Sequence, residues 1–134
     1  MKLRTMLIIT AVLSLVYGVS YQVSAAGVLT LYGLAADPAA VFTSRLFGAA
    51  LIGIAVWAWL LRDTQDASTQ QALVASMLAY SVVALASTLH ATVTGTMNAV
   101  GWTGVAIFLF LALGFSYCQV VLIRARRPAA PAPA

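Results

Sequence analysis

Charge is scarce in this sequence, and negative charge is scarcer still. The 134 residues include seven Lys or Arg, three Asp and no Glu. The charged share is 7%, against roughly 25% in a soluble domain. Cysteine occurs once, at Cys118, and histidine once, at His90. A lone cysteine excludes an internal disulfide and any multi-cysteine metal site. With one histidine and no glutamate, the ligands of a zinc or other metal centre are missing too. The three aspartates fall in or beside the expected loops, so the membrane-buried carboxylates of a proton relay are absent. No phosphate-binding loop and no nucleophile-base pair is visible. Neither enzymatic activity nor a cofactor is expected from so few titratable groups.

Apolar residues are what the sequence has in abundance: they make up 63% of it, with a mean hydropathy of +1.00. They fall into four blocks, residues 3–22, 38–61, 71–91 and 100–123. Each is long enough to cross a hydrocarbon core, which takes about 20 helical residues. The predicted fold is all-α, a four-helix transmembrane bundle with short up-and-down connections, forming one domain over residues 1–127. Asp37-Pro38 marks the start of the second helix, since the aspartate caps free amide groups and proline at the first helical position loses no needed hydrogen bond. Asn98 is placed to cap the fourth helix in the same way. The tail, residues 128–134, reads PAAPAPA and is expected to be disordered and polyproline-like.

The net charge of +4 does not point to nucleic acid, because the cations sit at the ends of apolar blocks rather than along one basic face. Lys2 and Arg4 precede the first block, Arg62 follows the second, and Arg124, Arg126 and Arg127 follow the fourth. Connections 23–37 and 92–99 hold no Lys or Arg. Short cytoplasmic loops are enriched in these residues, so both termini are expected in the cytoplasm. The stretch VSAAGVLTLYG at 23–33 raises a competing possibility, because VSA ending at Ala25 has the small residues of a signal-peptidase site. The apolar run before it covers residues 6–21, just beyond the roughly 7 to 15 residues of a signal core. Thr10, Ser14, Tyr17 and Tyr21 form a stripe on one helical face, as in a helix that packs on neighbours. The expectation is that the first helix is retained and that residues 23–33 form a turn.

The segment LYGLAADPAAVFTSRLFGAALIGIAVWAWLLRD, residues 31–63, together with NAVGW at 98–102, resembles a group of small bacterial membrane proteins with four spans, and more loosely the DoxX-like four-helix membrane proteins. The resemblance covers about the middle half of the chain. It implies four spans, a retained first helix and a bacterial cytoplasmic (inner) membrane location, and it brings no catalytic residue with it.

Arg45 lies within the second block, about 25 Å along a helix from Arg62, and therefore just inside the outer edge of a hydrocarbon core about 30 Å thick. Its long side chain can snorkel to the headgroups. By the same reckoning Tyr21, His90 and Trp102 lie near the same edge, with Asn98 close by. These five residues make a candidate site for an anion or lipid headgroup. On the third helix, Ser76, Tyr80, Ser87 and His90 form a second polar stripe. Trp57, Trp59 and Trp102 fit interfacial aromatic belts, and Cys118 fits inert packing. Ser44/Gly48 and Ala49/Gly53 have the small-x-x-x-small spacing that lets helices approach closely, so Gly48 and Gly53 are both expected at a helix contact.

Two functional expectations follow. The first is a small accessory or assembly protein acting through helix-helix contacts with other membrane proteins or a second copy of itself. The alternative is a binder or transporter of a small anion or lipid headgroup around Arg45. The expected partner in either case is the lipid bilayer, and not nucleic acid.

Overall fold

The computed structural model describes residues 2–126, so the expected disordered tail lies outside the described residues. Four α-helices follow in order: α1 Leu3–Leu31, α2 Pro38–Leu60, α3 Ala67–Val93 and α4 Gly101–Arg126. All four are long and apolar enough to cross a membrane. With no strand among the described residues, the fold is an all-α bundle and the chain a multi-pass membrane protein. Large apolar side chains such as Val16, Phe42, Val83 and Leu113 are left exposed, as expected where lipid tails are the solvent. Helices suit that solvent because they satisfy every backbone polar group internally.

The helix starts follow from local chemistry. Asp37 Oδ1 accepts the Ala39 and Ala40 N–H groups, each at 2.9 Å, with Pro38 at the first helical position. Helix α3 begins at Ala67 rather than at residue 71, because Asp66 caps it by accepting Thr69 N–H at 2.7 Å. The Ser68 and Thr69 hydroxyls also donate to Asp66 Oδ2, both at 2.6 Å. These donors, the Ser68 hydroxyl foremost, hold the Asp66 carboxyl at about 2.

The stretch at 23–33 departs from expectation. It is not a turn: α1 runs on to Leu31, and only Ser24, at φ −145° and ψ 63°, leaves helical geometry. The turn comes at Gly33, with φ +77°. Glycine and serine are among the residues at which helices kink without proline. Here the Ser24 hydroxyl sits 2.5 Å from where a Cβ on Gly27 would be. The bend is large. Tyr17 and Tyr32 would lie about 22 Å apart along a straight helix, yet their hydroxyl oxygens meet at 3.4 Å. Residues 25–32 thus fold back toward the bundle, burying Ala25, Leu29 and Tyr32.

Two helical hairpins make up the bundle: α2 packs along α1, α3 along α4, and a shorter seam joins α1 to α4. Transmembrane helices gain little from hydrophobic burial against each other, so close backbone approach matters more. Gly18 and Gly48 provide it between α1 and α2. A Cβ on Gly48 would lie 2.7 Å from Tyr21 Cβ and 2.9 Å from the Gly18 carbonyl, and one on Gly18 would lie 2.9 Å from the Gly48 carbonyl. Gly53, expected at the same contact, faces open space with nothing within 4 Å. It lies five positions beyond Gly48, and at about 100° per residue that turns it away from α1. On the other hairpin, Gly101 and Gly104 meet Thr92 and Thr88.

At one end of the bundle Arg4 pairs with Asp63 at 2.7 Å, which places the α2–α3 connection beside the start of α1. Arg62 also approaches Asp63, at 3.3 Å, and stacks over Trp59. Just inside this terminal end, Met6, Leu7, Ala58, Val74, Phe115 and Cys118 form a closed core. The opposite end carries the connections after α1 and after α3.

Candidate binding cavity

Beyond the closed core, the two hairpins stand apart around a cavity of about 290 Å³. Its walls come from all four helices: Thr10, Leu13, Ser14, Tyr17 and Tyr21 of α1, Phe47 and Leu51 of α2, Met77, Tyr80, Ser81, Ala84, Ser87 and Thr88 of α3, and Gly104, Ile107, Phe108 and Leu111 of α4. Tyr32 and Met97, from the two loop-end connections, complete the lining. No Lys, Arg, Asp, Glu or His is among these residues. The cavity is apolar, with hydroxyl groups spaced along it.

The stripe Thr10, Ser14, Tyr17 and Tyr21 is therefore the cavity face of α1. It points inward as its 3.6-residue spacing demands. Tyr17 is fixed by Tyr32. The Tyr21 ring meets Phe47 edge-on, with centroids 5.6 Å apart, and the Tyr80 ring meets Phe108 edge-on at 6.0 Å. One such aromatic pair belongs to each hairpin. The Ser81 hydroxyl donates to the Met77 carbonyl at 2.7 Å. Thr10 is 2% exposed, and its Oγ1 has no hydrogen-bond partner among the described residues.

Of the five residues singled out from sequence, one lines the cavity. Tyr21 lines the cavity. Asn98 sits in the α3–α4 connection, where its Oδ1 accepts Val100 N–H at 2.9 Å near the start of α4 and its amide donates to the Leu31 carbonyl. Arg45 is exposed, and its backbone carbonyl accepts the Gln22 amide at 2.7 Å. His90 is exposed as well, and Trp102 is 53% exposed. None of Arg45, His90, Asn98 and Trp102 belongs to the cavity lining. Of the α3 stripe, Tyr80 and Ser87 line the cavity while Ser76 and His90 do not. His90 lies about 120° around the helix from the cavity-facing Ala84.

Sequence reasoning missed Tyr32, Phe47 and Phe108 as lining residues. For Tyr32 the obstacle was the unrecognised bend at Ser24. Phe47 and Phe108 sit in uniformly apolar helices, where nothing in the pattern separates an inward phenylalanine from one facing lipid. Gly18 was legible, since Ser14 and Gly18 repeat the small-x-x-x-small spacing of α2.

Among the described residues no group of three or more His, Cys, Asp or Glu side chains comes together to hold a metal ion. Compared with known proteins, the chain matches no family model, no curated protein and no solved structure.

Proposed function

We propose that this protein binds a small lipid-soluble molecule in the cavity between its two helical hairpins. The observation that carries this reading is the cavity itself: about 290 Å³, walled by all four helices, with Thr10, Ser14, Tyr17 and Tyr21 of α1 among its lining residues. A bundle evolved only to hold its helices together would fill this space, since interiors pack to near-crystalline density. The cavity lies near the small end of the usual range for ligand sites, roughly 300–1,000 Å³. No close backbone contact joins α2 to α3, so on that side only side chains separate the cavity from the bilayer. A lipid-soluble molecule has a short path in from there. The reading includes a bacterial inner-membrane location with both termini cytoplasmic, as the cation distribution favours, and assigns no catalytic step.

The other readings are less well supported. An exposed Arg45 suits a side chain that snorkels to the headgroups better than one that organises an anion pocket. Exposed apolar faces are compatible with an accessory protein that packs on a partner, but a bilayer alone also covers them.

The test is native mass spectrometry of the full chain released from mild detergent, comparing the parent with Ala84→Phe, which places a ring in the cavity. The parent should carry a small-molecule adduct, or take up added naphthalene derivatives, and Ala84→Phe should lose that binding while keeping its helical content. A parent that neither carries an adduct nor takes up any such probe would overturn the reading.

A further inference from the structure

The cavity has one open side. We infer that its occupant enters from the acyl region of the bilayer, through a mouth between α2 and α3 framed by Phe47 and Ser87. This rests on the binding reading above and adds where the occupant comes from.

The other sides are closed. At the terminal end Ala58, Val74 and Phe115, each 0% exposed, belong to the packed core. At the loop end Tyr32 is buried, and Asn98 ties the two connections together through the Leu31 and Tyr32 carbonyls. The backbones of α1 and α4 approach within 8 Å, whereas no Cα of α2 comes within 8 Å of a Cα of α3. Nor do the ring pairs bridge that gap: Tyr21/Phe47 lies within the first hairpin and Tyr80/Phe108 within the second.

Exposure picks out the same side. Every lining residue contributed by α1 and α4 is buried or half-buried, and the two lining residues that are exposed are Phe47 of α2 and Ser87 of α3. Helix rotation sets them at facing lips. Gly48 packs on Gly18 of α1, so Phe47, one residue earlier and about 100° round, lies off the α1 contact. Gly104 of α4 meets Thr88, so Ser87 lies off the α4 contact by the same angle. A side chain that both lines a cavity and is exposed marks where the cavity meets its surroundings.

Depth decides what those surroundings are. Phe47 is nine residues into α2 from Pro38, and Ser87 is six residues before the end of α3 at Val93, about 14 Å and 9 Å of helix. In a hydrocarbon core about 30 Å thick the mouth therefore opens in the loop-end half, among acyl chains and below the headgroups. A molecule dissolved among the tails reaches it directly. An ion arriving from water would first have to enter hydrocarbon, which is strongly unfavourable.

The experiment bridges the mouth and varies the order of addition. A direct disulfide cannot span it, because that needs Cα atoms about 4.4–6.8 Å apart. A short bis-maleimide is used instead, on Ala50→Cys/Ser87→Cys in a Cys118→Ala background, in nanodiscs, with bridging confirmed by intact mass. Ala50 lies one turn along α2 from Phe47, is exposed and is not in the lining. Bridging before acetylnaphthalene is added should abolish its uptake, and bridging after loading should trap it, so that release into empty vesicles is lost. A reagent that merely filled the cavity would expel the probe in the second order. If this pair takes up no probe before bridging, Ala50→Cys with Val83→Cys, which leaves the whole lining intact, reads the same two orders. Uptake and release indifferent to bridging, or expulsion of the loaded probe, overturns the mouth and leaves the binding reading standing. Failure of the unbridged Cys118→Ala chain and of the parent to take up the probe removes the binding reading itself, and this inference with it.

Discussion

Asn98 bonds to the connection after α1 across 67 positions of sequence: its side-chain amide donates to the Leu31 carbonyl at 2.9 Å, and its backbone N–H donates to the Tyr32 carbonyl at 2.9 Å. One residue thus ties the two loop-end connections together, directly beside Tyr32, which closes one end of the cavity. Gly33 makes the tie possible. Its φ of +77° suits glycine, and a Cβ there would sit 3.1 Å from Asn98 Cβ.

Breaking this tie should loosen the cavity before it unfolds the bundle. Asn98→Ala removes the two side-chain bonds to Leu31 and Val100, each worth about 1 kcal/mol. Gly33→Ala forces a left-handed backbone on a residue with a side chain, at about 1–2 kcal/mol. Both variants should melt at lower temperature in detergent. Hydrogen exchange should rise first at residues 25–34 and 94–100, and uniform exchange across all four helices would show that the tie is not local.

Gly48 and Gly53 should behave differently, although their sequence context is alike. Gly48→Leu must push α1 and α2 apart, because the nearest atoms are backbone and Tyr21 Cβ. Overpacking of this kind costs about 1–3 kcal/mol. Gly53→Leu points into open space and should change stability by less than about 0.5 kcal/mol. Melting curves of the two variants in one detergent decide the matter, and equal losses would contradict the helix pairing.

Asp66 gives the fold a defined response to acid. Its carboxyl is held at about 2, against an ordinary value of 3.8, first by the Ser68 hydroxyl and then by Thr69. A depressed folded-state value means the stabilisation is fully present above about 3.8 and is lost as pH falls through about 2. The parent should therefore be more stable than Asp66→Ala near neutral pH, and the gap should narrow as pH falls through that window. A gap that does not change with pH would mean that the charged carboxylate is not what caps α3.

Much of this architecture was legible in the sequence, for physical reasons. Apolar blocks long enough to span lipid cannot hide elsewhere, Asp37-Pro38 has one local meaning, and hydroxyls at four- and three-residue spacings must share a face of α1. The bend at Ser24 was not legible, because residues 25–31 are apolar and small and suit a helix, a turn or a cleavage site equally well. Nor was the orientation of Arg45. A cation near a helix end can turn inward or outward, and only the rotation of α2, set by Gly18 against Gly48, places it outside.

Retention of the first helix can be measured directly. Ala25 is 1% exposed within the folded-back part of α1, and Thr10, Ser14, Tyr17 and Tyr21 form one wall of the cavity. Intact mass of the protein purified from membranes should include residues 1–25. A mature chain beginning at Ala26 would remove that wall and end the four-helix account.

The central claim, that a small lipid-soluble molecule sits between the hairpins, is tested most directly by photolabelling. A naphthyl ketone carrying a diazirine would be added to the full chain in nanodiscs, illuminated, and its attachment sites mapped by peptide mass spectrometry. The expected labels fall on the cavity faces of α1 and α3, at residues such as Tyr17, Tyr21, Tyr80 and Ala84, and are displaced by excess unlabelled acetylnaphthalene. Labels confined to outward-facing positions such as Val12, Leu15 and Val16, with no displacement, would contradict the account.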